Sequence, residues 1–235
     1  MNIVGLQKMT LLDYPGKVAC TVFLGGCNFR CPFCHNSELL EANTPSYMEP
    51  EALLAFLQKR QGILDGVCIT GGEPTLQKDL PQLLRSIKAL GYPIKLDTNG
   101  CRPQMLRQLV SDGLVDYVAM DIKNSPERYG LTVGLEKPDL RATEESIRFL
   151  LSGAVDYELR TTVVLPLHTE ASVSQMGQWL YSLNGGEKIP RLYLQPFVDR
   201  DTVPVAGLSA PDASELDTFV SKLTPFVAFV KVRGI

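Results

Sequence analysis

Apolar positions follow two alternating periods along the chain, which predicts strands that alternate with helices. Short apolar or β-branched runs are typical of buried strands; these are VACTVFL, GVCIT, YPIKLD, VDYVAMD, YELRTTVVL and RLYLQPF, with FVAFVKV at the end. Between them, apolar residues three and four apart form helical faces, as in Leu80–Leu90, which ends at Gly91. The stretch 122–139 is less regular. Ser46 and Glu49 have the spacing of a capping box before a further helix.

This alternation predicts the fold class. Strands that alternate with helices of about 10 to 15 residues are typical of repeated βα units around a parallel sheet. The pattern supplies about six such units before the terminal strand, fewer than the eight of a full barrel. We therefore expect an α/β fold, a partial and open parallel βα barrel of about six units. The polar, Pro/Gly-containing stretch NGGEKIP is expected to be a loop rather than a domain linker, and residues 1–235 are expected to form a single domain.

Composition and charge exclude some classes of protein. The chain has 235 residues, 45% of them hydrophobic, with 23 basic and 26 acidic side chains, and no Lys/Arg run exceeds two. No basic footprint for nucleic acid is therefore expected. No apolar run approaches the ~18–20 residues of a membrane span. The first residues lack the apolar core of a secretory signal. We expect a cytoplasmic protein.

Three of the six cysteines crowd into one short stretch, CNFRCPFCHN. Cys20 and Cys68 stand in apolar runs and are expected to be buried, whereas Cys27, Cys31 and Cys34 are candidate metal ligands. A structural zinc site needs four ligands, and the usual zinc spacings are missing. Iron–sulfur clusters are normally held by four thiolates, so three would leave one iron open to a ligand that is not protein. A non-catalytic zinc or iron–sulfur module remains the alternative.

Unusual residues follow four successive strands of the predicted sheet. GGCNFRC, TGGEPT, DTNG and MDIK come in turn after the first four strands. Because the carboxyl ends of parallel strands meet at the same rim, these segments are expected to form one site.

The cysteine stretch carries a family resemblance. Its C-x₃-C-x₂-C spacing, with Phe33 before the last cysteine and TGGEPT one strand later, resembles the radical S-adenosylmethionine superfamily. The stretch Thr10–Asn36 resembles the activating enzymes of glycyl-radical proteins, and among them the activating proteins of anaerobic ribonucleoside-triphosphate reductases. The resemblance implies a [4Fe–4S] cluster on the three cysteines and S-adenosylmethionine at the open iron. Its reductive cleavage would give a 5′-deoxyadenosyl radical that removes a hydrogen atom from a glycine of a partner protein.

The resemblance also implies which residues bind the cofactor, and it names no side-chain acid or base as catalytic. The expected cofactor-binding residues are Phe33, Gly71, Gly72, Glu73, Asp97, Thr98, Asn99, Asp121, Lys123 and Arg160. Plain turns would equally explain the glycine and Asn-Gly segments, and a solvated surface lysine would explain Lys123. Arg160 lies mid-strand, where a buried arginine needs a partner.

A monovalent cation is a further expectation from the resemblance. Asp97, Thr98, Met120 and Asp121 match the cation site of the pyruvate formate-lyase activases. One position departs from those activases, because Val198 stands where they have a histidine. The departure argues against pyruvate formate-lyase as the target. Roles are left open for His35, His168, Gln195 and Cys101.

The expected partners are a glycyl-radical enzyme as protein substrate and an electron donor such as flavodoxin or ferredoxin. The alternatives within the superfamily are a pyruvate formate-lyase-type activase and a small-molecule enzyme similar to 7-carboxy-7-deazaguanine synthase. The latter class shares the cysteine loop and GGEP, but its surroundings do not resemble LLDYPGKVACTVF. Nucleotide enzymes find no support, since GxGxxG, Walker and GxSxG motifs are missing.

Overall fold

The computed structural model describes residues 1–234, and strands and helices alternate through most of this range. The strands are β1 (Ile3–Thr10), β2 (Ala19–Leu24), β3 (Gly66–Gly71), β4 (Ile94–Thr98), β5 (Tyr117–Asp121), β6 (Asp156–Val163), β7 (Ile189–Pro196) and β8 (Val227–Val232). The helices are α1 (Pro50–Gln58), α2 (Leu80–Ala89), α3 (Pro103–Ser111), α4 (Pro126–Val133), α5 (Leu140–Leu151), α6 (Glu170–Leu183) and α7 (Ala213–Leu223).

The strands form one sheet in the order β1 to β8, so its two end strands are not neighbours and the sheet is open. β1 pairs antiparallel with β2, whereas β2–β3, β3–β4, β6–β7 and β7–β8 pair in parallel. Six strand–helix units run from β2 to α7 before the terminal strand. The predicted fold class, an open and mostly parallel βα architecture of about six units, is confirmed.

Three local features differ from the sequence expectations. β1 was not foreseen, because only Ile3 and Thr10 of its eight residues are buried and no apolar run marks it. α4 lies inside the stretch expected to be irregular. The capping box is wrong: α1 begins at Pro50 with Glu49 as N-cap, and the Ser46 hydroxyl donates to Ile3 O and Met48 O.

The chain divides into two compact units. The first comprises Met1–Asn28, Glu38–Ala119 and Gly153–Tyr157, and the second comprises Phe29–Ser37, Met120–Ser152 and the chain from Glu158 onward. The expectation of a single domain over residues 1–235 stays a prediction.

The first unit has its apolar core between the sheet and α1, α2 and α3. The predicted helical faces are buried there: Leu53, Leu57, Leu80, Leu83, Leu84, Ile87, Leu106 and Leu109. Cys20 and Cys68 are fully buried, as their apolar surroundings predicted. Tyr92, after α2, donates its hydroxyl to Leu57 O at 2.8 Å and so joins α1 to the chain that leads into β4.

The second unit buries the faces of α5, α6 and α7. The buried side chains of these helices include Ile147, Leu150, Val173, Met176, Leu180, Leu216, Phe219 and Leu223. α6 and α7 each begin with a capping box, in which the Thr169 and Asp212 side chains accept from the backbone three residues later. None of the helices in residues 1–234 combines the length and apolar character that crossing a membrane requires.

Candidate functional site

The cysteine stretch begins in the first unit, directly after β2. The backbone N–H of Gly26 donates to Leu39 O at 2.7 Å, and that of Cys27 donates to Leu40 O at 3.0 Å. These bonds tie the start of the stretch to the chain that returns from it. Cys27 is half-buried, and its thiol takes part in no disulfide.

The rest of the cysteine stretch lies in the second unit, on the C-terminal end of α4. Arg30 N–H donates to Val133 O at 2.8 Å, and a Cβ on Gly134 would lie 2.2 Å from Arg30 O. Gly134 has φ +69°, the left-handed conformation that commonly ends a helix at glycine. Cys31 is buried and Cys34 half-buried, and neither forms a disulfide. The helix that sequence analysis missed therefore supports the segment that carries these two cysteines.

No group of three or more His, Cys, Asp or Glu side chains within residues 1–234 is arranged to hold a single metal ion. A cubane cluster makes a different demand, because each thiolate binds a different iron.

The two glycines of the GGE segment face the backbone of the first unit itself. Gly72 N–H donates to Leu24 O and Glu73 N–H donates to Gly26 O, both at 2.8 Å. A Cβ on Gly71 would lie 2.3 Å from Leu24 O, and one on Gly72 would lie 2.2 Å from Gly26 O. Glycine is therefore required where the end of β3 approaches the segment that leads into Cys27.

Glu73 is a buried carboxylate with several donors. Its side-chain oxygens accept from Asn99 N–H at 2.7 Å, from the Thr98 hydroxyl at 2.8 Å and from Thr75 N–H at 3.1 Å, and the Thr75 hydroxyl also donates. Burial raises the pKa of Glu73, and these hydrogen bonds act in the opposite direction. The carboxylate thus holds the turn that follows β4. The structure brings Glu73, Thr98 and Asn99 together as predicted neighbours, and their binding of a cofactor stays a prediction.

Asn99 continues this network to the cysteine stretch within the first unit. Its side-chain amide donates to Asn28 Oδ1 at 2.9 Å, and its carbonyl oxygen accepts from Cys101 N–H at 3.0 Å. The Cys101 thiol lies 3.4 Å from the same Asn28 oxygen. Burial, with Glu73 and Cys27 adding to it, raises the pKa of Cys101 to about 12. Asn28 was not singled out from the sequence, although it stands next to Cys27 in the quoted motif.

Asp97 has a partner that sequence analysis did not consider. The ammonium of Lys95 donates to the Asp97 carboxylate, and the two side chains are only 2% and 13% exposed. Residues two apart share one face of a strand, so the pairing follows from the alternation of β4. The Lys95 nitrogen also lies 3.9 Å from the sulfur of Cys68, its register partner on β3.

In the second unit, Asp121 stands between two cations. Arg160 Nε donates to Asp121 Oδ1 at 2.5 Å, and Lys123 Nζ donates to Oδ2 at 2.9 Å. Burial alone would raise the pKa of Asp121, but the two cations outweigh it and hold that pKa below its usual range. Burial would lower the pKa of Lys123, but Asp121 holds it above its usual range. The predicted trio is therefore brought together in a fully ionised state.

Phe33 lies against the same group in the second unit. The Lys123 ammonium is 6.0 Å from the centroid of its ring, at the outer limit of a cation–π contact. The predicted residues Phe33, Asp121, Lys123 and Arg160 thus form one cluster beside Cys34, whose pKa is raised by burial and lowered in part by Lys123.

The two histidines have structural partners. His168 is fully buried; its Nε2–H donates to Lys123 O at 2.8 Å and its Nδ1 accepts from Val164 N–H at 3.1 Å. Burial lowers the pKa of His168 to about 4, so the ring is neutral. His35 Nε2 donates to Val198 O at 2.6 Å, and its ring stacks on Phe197. The bonds of His168 to Lys123 and of His35 to Val198 join residues 45 and 163 positions apart, and no sequence pattern indicates them.

The segment after β7 runs along the cysteine stretch of the second unit. The Thr202 hydroxyl donates to His35 O at 2.8 Å, and Ser37 donates its hydroxyl to Thr202 O at 2.5 Å. Val205 N–H donates to Pro32 O at 3.3 Å. Val198 stands where the pyruvate formate-lyase activases have a histidine. In this protein its backbone carbonyl accepts the hydrogen bond from His35.

Comparison with known proteins identifies the family. The Radical SAM superfamily profile matches residues 21–180, which is more than half of the chain. A relative from Methanocaldococcus jannaschii, "Putative glycyl-radical enzyme activating enzyme MJ1227", is 37% identical over 130 residues, which cover 54% of this chain and 52% of the relative. A 7-carboxy-7-deazaguanine synthase of Thermococcus kodakarensis is 29% identical over 202 residues, 77% of this chain and 75% of that protein.

Solved structures agree on the fold. A domain of the pyruvate-formate lyase-activating enzyme from Bacteroides vulgatus superposes with a TM-score of 0.58 at 18% identity, over 72% of this chain and 99% of that one. At this identity the likeness concerns the fold alone.

The chain belongs to the radical SAM superfamily, as the cysteine spacing predicted. The predicted cofactors, a [4Fe–4S] cluster and S-adenosylmethionine, are those of this superfamily of enzymes. The chain spans about half the length of the glycyl-radical activating relatives it matches.

Proposed function

We propose that this protein is an activating enzyme that installs a glycyl radical on a partner protein, an anaerobic ribonucleoside-triphosphate reductase. The observation that carries the proposal is the 37% identity to the glycyl-radical activating relative, together with the resemblance of Thr10–Asn36 to this group. When bound, the cluster would supply the electron for reductive cleavage of S-adenosylmethionine, and the chemistry so provided would be removal of a hydrogen atom from a glycine of the partner.

The three clustered cysteines fit the cluster. Cys27, Cys31 and Cys34 would hold it, since none of them forms a disulfide and they stand within eight residues of one another. Three thiolates leave one iron without a protein ligand, and S-adenosylmethionine would bind there through its amino and carboxylate groups. Thiolates are anionic ligands, and cluster loading therefore requires reducing conditions that keep them free.

The cofactor's charged groups would be held by the ion pairs of the site. In the second unit, Arg160 and Lys123 present two cations that would orient the carboxylate of the amino-acid part. In the first unit, the Asp97 carboxylate would accept from its ammonium group. Gly71 and Gly72 would act by fixing the segment before Cys27, and Phe33 would exclude water beside the cluster.

The partner and location complete the proposal. The substrate would be a glycyl-radical protein, and the electron would come from a donor such as flavodoxin or ferredoxin. Six cysteines without a disulfide, three of them in one stretch, suit a reducing cytoplasm.

The experiment is anaerobic reconstitution with iron and sulfide, reduction, and incubation with S-adenosylmethionine and a purified reductase subunit. We expect a glycyl doublet in electron paramagnetic resonance on the reductase, together with released 5′-deoxyadenosine. Cys31→Ala should abolish both, and the buried core variant Cys20→Ala should retain both. Cleavage of S-adenosylmethionine without a doublet on any glycyl-radical partner would contradict the activase assignment while leaving the superfamily chemistry intact.

A small-molecule function is the second candidate, favoured by one observation. The 7-carboxy-7-deazaguanine synthase relative matches more of this chain, 77%, than the activating relative does. This candidate predicts that the reduced holoprotein forms a 7-carboxy-7-deazaguanine product from a small-molecule substrate in the absence of any protein partner.

A further inference from the structure

The monovalent cation expected from the resemblance does not fit the residues that would hold it. Its expected ligands include two carboxylates, Asp97 in the first unit and Asp121 in the second. Each carboxylate already has a cationic side chain of its own unit as a partner. An added cation would have to compete with these ammonium and guanidinium groups.

The pairing in the first unit is enforced by burial. Lys95 is 2% exposed, and a buried ammonium without a counter-charge is strongly disfavoured. Its ammonium donates to the Asp97 carboxylate and lies 3.9 Å from the sulfur of Cys68, and the carboxylate is the group that neutralises it. Lys95 lies on the same face of β4 two residues before Asp97. Its side chain therefore has only a short distance to span to the carboxylate.

The hydroxyl of Thr98 is also committed within the first unit. It donates to Glu73 Oε1 at 2.8 Å and accepts from Gly100 N–H at 3.1 Å. A hydroxyl oxygen has two lone pairs, so one is left for any further contact. Hard cations are bound through several oxygen ligands, and this unit offers one paired carboxylate and one partly used hydroxyl.

The second unit repeats the pattern at Asp121. Both of its oxygens accept from cations, one from Arg160 and one from Lys123. In this unit, two positive side chains therefore surround Asp121, the one carboxylate of the unit that was expected to bind the cation.

We propose that the ammonium of Lys95 takes the place of the monovalent cation at Asp97, so that this protein binds S-adenosylmethionine without potassium or sodium. Lys95 is then a positioning residue: it holds the Asp97 carboxylate in place, oriented toward the amino group of the cofactor. The inference rests on the part of the proposed function that puts Asp97 at the cofactor, and not on the identity of the protein partner.

The test compares salts at constant ionic strength. Equilibrium binding of S-adenosylmethionine to the reconstituted holoprotein is measured anaerobically in potassium, sodium and tetramethylammonium chloride. The dissociation constant of the unchanged protein should agree across the three salts within about twofold, a difference of ~0.4 kcal/mol. Lys95→Met should weaken binding by about tenfold in tetramethylammonium, and potassium or sodium should restore part of that loss. An exposed lysine of the same unit, Lys59→Met, should behave like the unchanged protein.

A direct cation measurement keeps the test independent of cofactor binding. Thallium-205 line broadening should show no saturable cation site in the unchanged holoprotein and a saturable one in Lys95→Met. A saturable site in the unchanged protein, or cofactor affinity that rises severalfold with potassium, would overturn the inference. Should Lys95→Met fail to fold by circular dichroism, the salt series and thallium titration of the unchanged protein still decide. Failure to bind S-adenosylmethionine in any salt would count against the proposed site of Asp97, whereas thallium would still report on Lys95.

Discussion

The carboxylate of Glu73 accepts a hydrogen bond of 2.7 Å from the backbone N–H of Asn99, which connects the end of β3 to the turn after β4. Both residues lie in the first unit, and Asn99 in turn donates to Asn28, the neighbour of Cys27. The glutamate that was expected to bind a cofactor directly therefore carries a network that positions two other strand ends. Its role is testable separately from that of the cluster.

Glu73→Gln should destabilise the protein by about 1–3 kcal/mol, because the amide sets an N–H₂ group against one of the buried donors. The turn at Asn99 should loosen, and affinity for S-adenosylmethionine should fall with it. Urea unfolding and equilibrium binding measure the two effects. The exposed Glu51→Gln should stay within about 0.5 kcal/mol of the unchanged protein. Equal unfolding midpoints for Glu73→Gln and the unchanged protein would contradict the bracing role.

Gly72→Ala should displace the segment before Cys27, since its Cβ would lie 2.2 Å from Gly26 O. We expect a loss of about 2–4 kcal/mol in unfolding free energy and less iron bound per chain after reconstitution. The matched control is Gly5→Ala, whose Cβ would lie 3.5 Å from Phe23, an ordinary contact. Retention of full iron content by Gly72→Ala would show that the close approach is not needed to hold Cys27.

The repeated βα plan could be predicted from the sequence, because amphipathic helices and buried strands leave strong periodic patterns. β1 could not, since an edge strand with three exposed residues in its second half, Gln7, Lys8 and Met9, has no such pattern. α4 could not either, because Pro126 and Gly130 read as helix breakers. Proline at the start of a helix is tolerated, and Gly130 is required by packing, as its Cβ would meet Leu135 O at 2.6 Å.

The site was predictable as a set of residues but less so as a set of contacts. Arg160 was expected to need a partner, and Asp121 supplies it across 39 positions of sequence. Lys95 and Asp97 are two residues apart on a predicted strand, and side chains at that spacing share a face. From the sequence, this alternation was used only to predict the strand, and the ion pair was not considered. The bracing of the Lys123 carbonyl by His168 depends on tertiary contact over 45 positions, for which a single sequence holds no information.

The ion pair of Arg160 and Asp121 should show strong coupling in a double-mutant cycle. Arg160→Met, Asp121→Asn and their combination should give a coupling energy of about 1.5–3 kcal/mol, because a short charge-assisted hydrogen bond is lost from a partly buried cluster. The exposed pair Arg85 and Asp112 is the control, for which a coupling of at most ~0.5 kcal/mol is expected. Urea unfolding measures both coupling energies. Equal values for the two pairs would mean that burial does not strengthen the interaction between Arg160 and Asp121.

His168 should make stability depend on pH in a defined window. Its pKa is about 4 in the folded protein, below its ordinary value of 6.5, because burial disfavours the charged ring. The folded state therefore keeps the ring neutral, and its contribution is complete above about pH 6.5 and is lost as the pH falls toward 4. The loss amounts to at most ~3 kcal/mol over that window.

Urea unfolding of the cluster-free, reduced protein at about pH 7.5 and pH 5 measures this effect. The drop in unfolding free energy between the two pH values should be smaller in His168→Gln than in the unchanged protein, since glutamine does not titrate. His35→Gln is the matched control, because His168 remains in place and the drop should persist. The same drop in His168→Gln as in the unchanged protein would assign the pH dependence to other groups and would leave His168 without the neutral, bracing role that its two hydrogen bonds indicate.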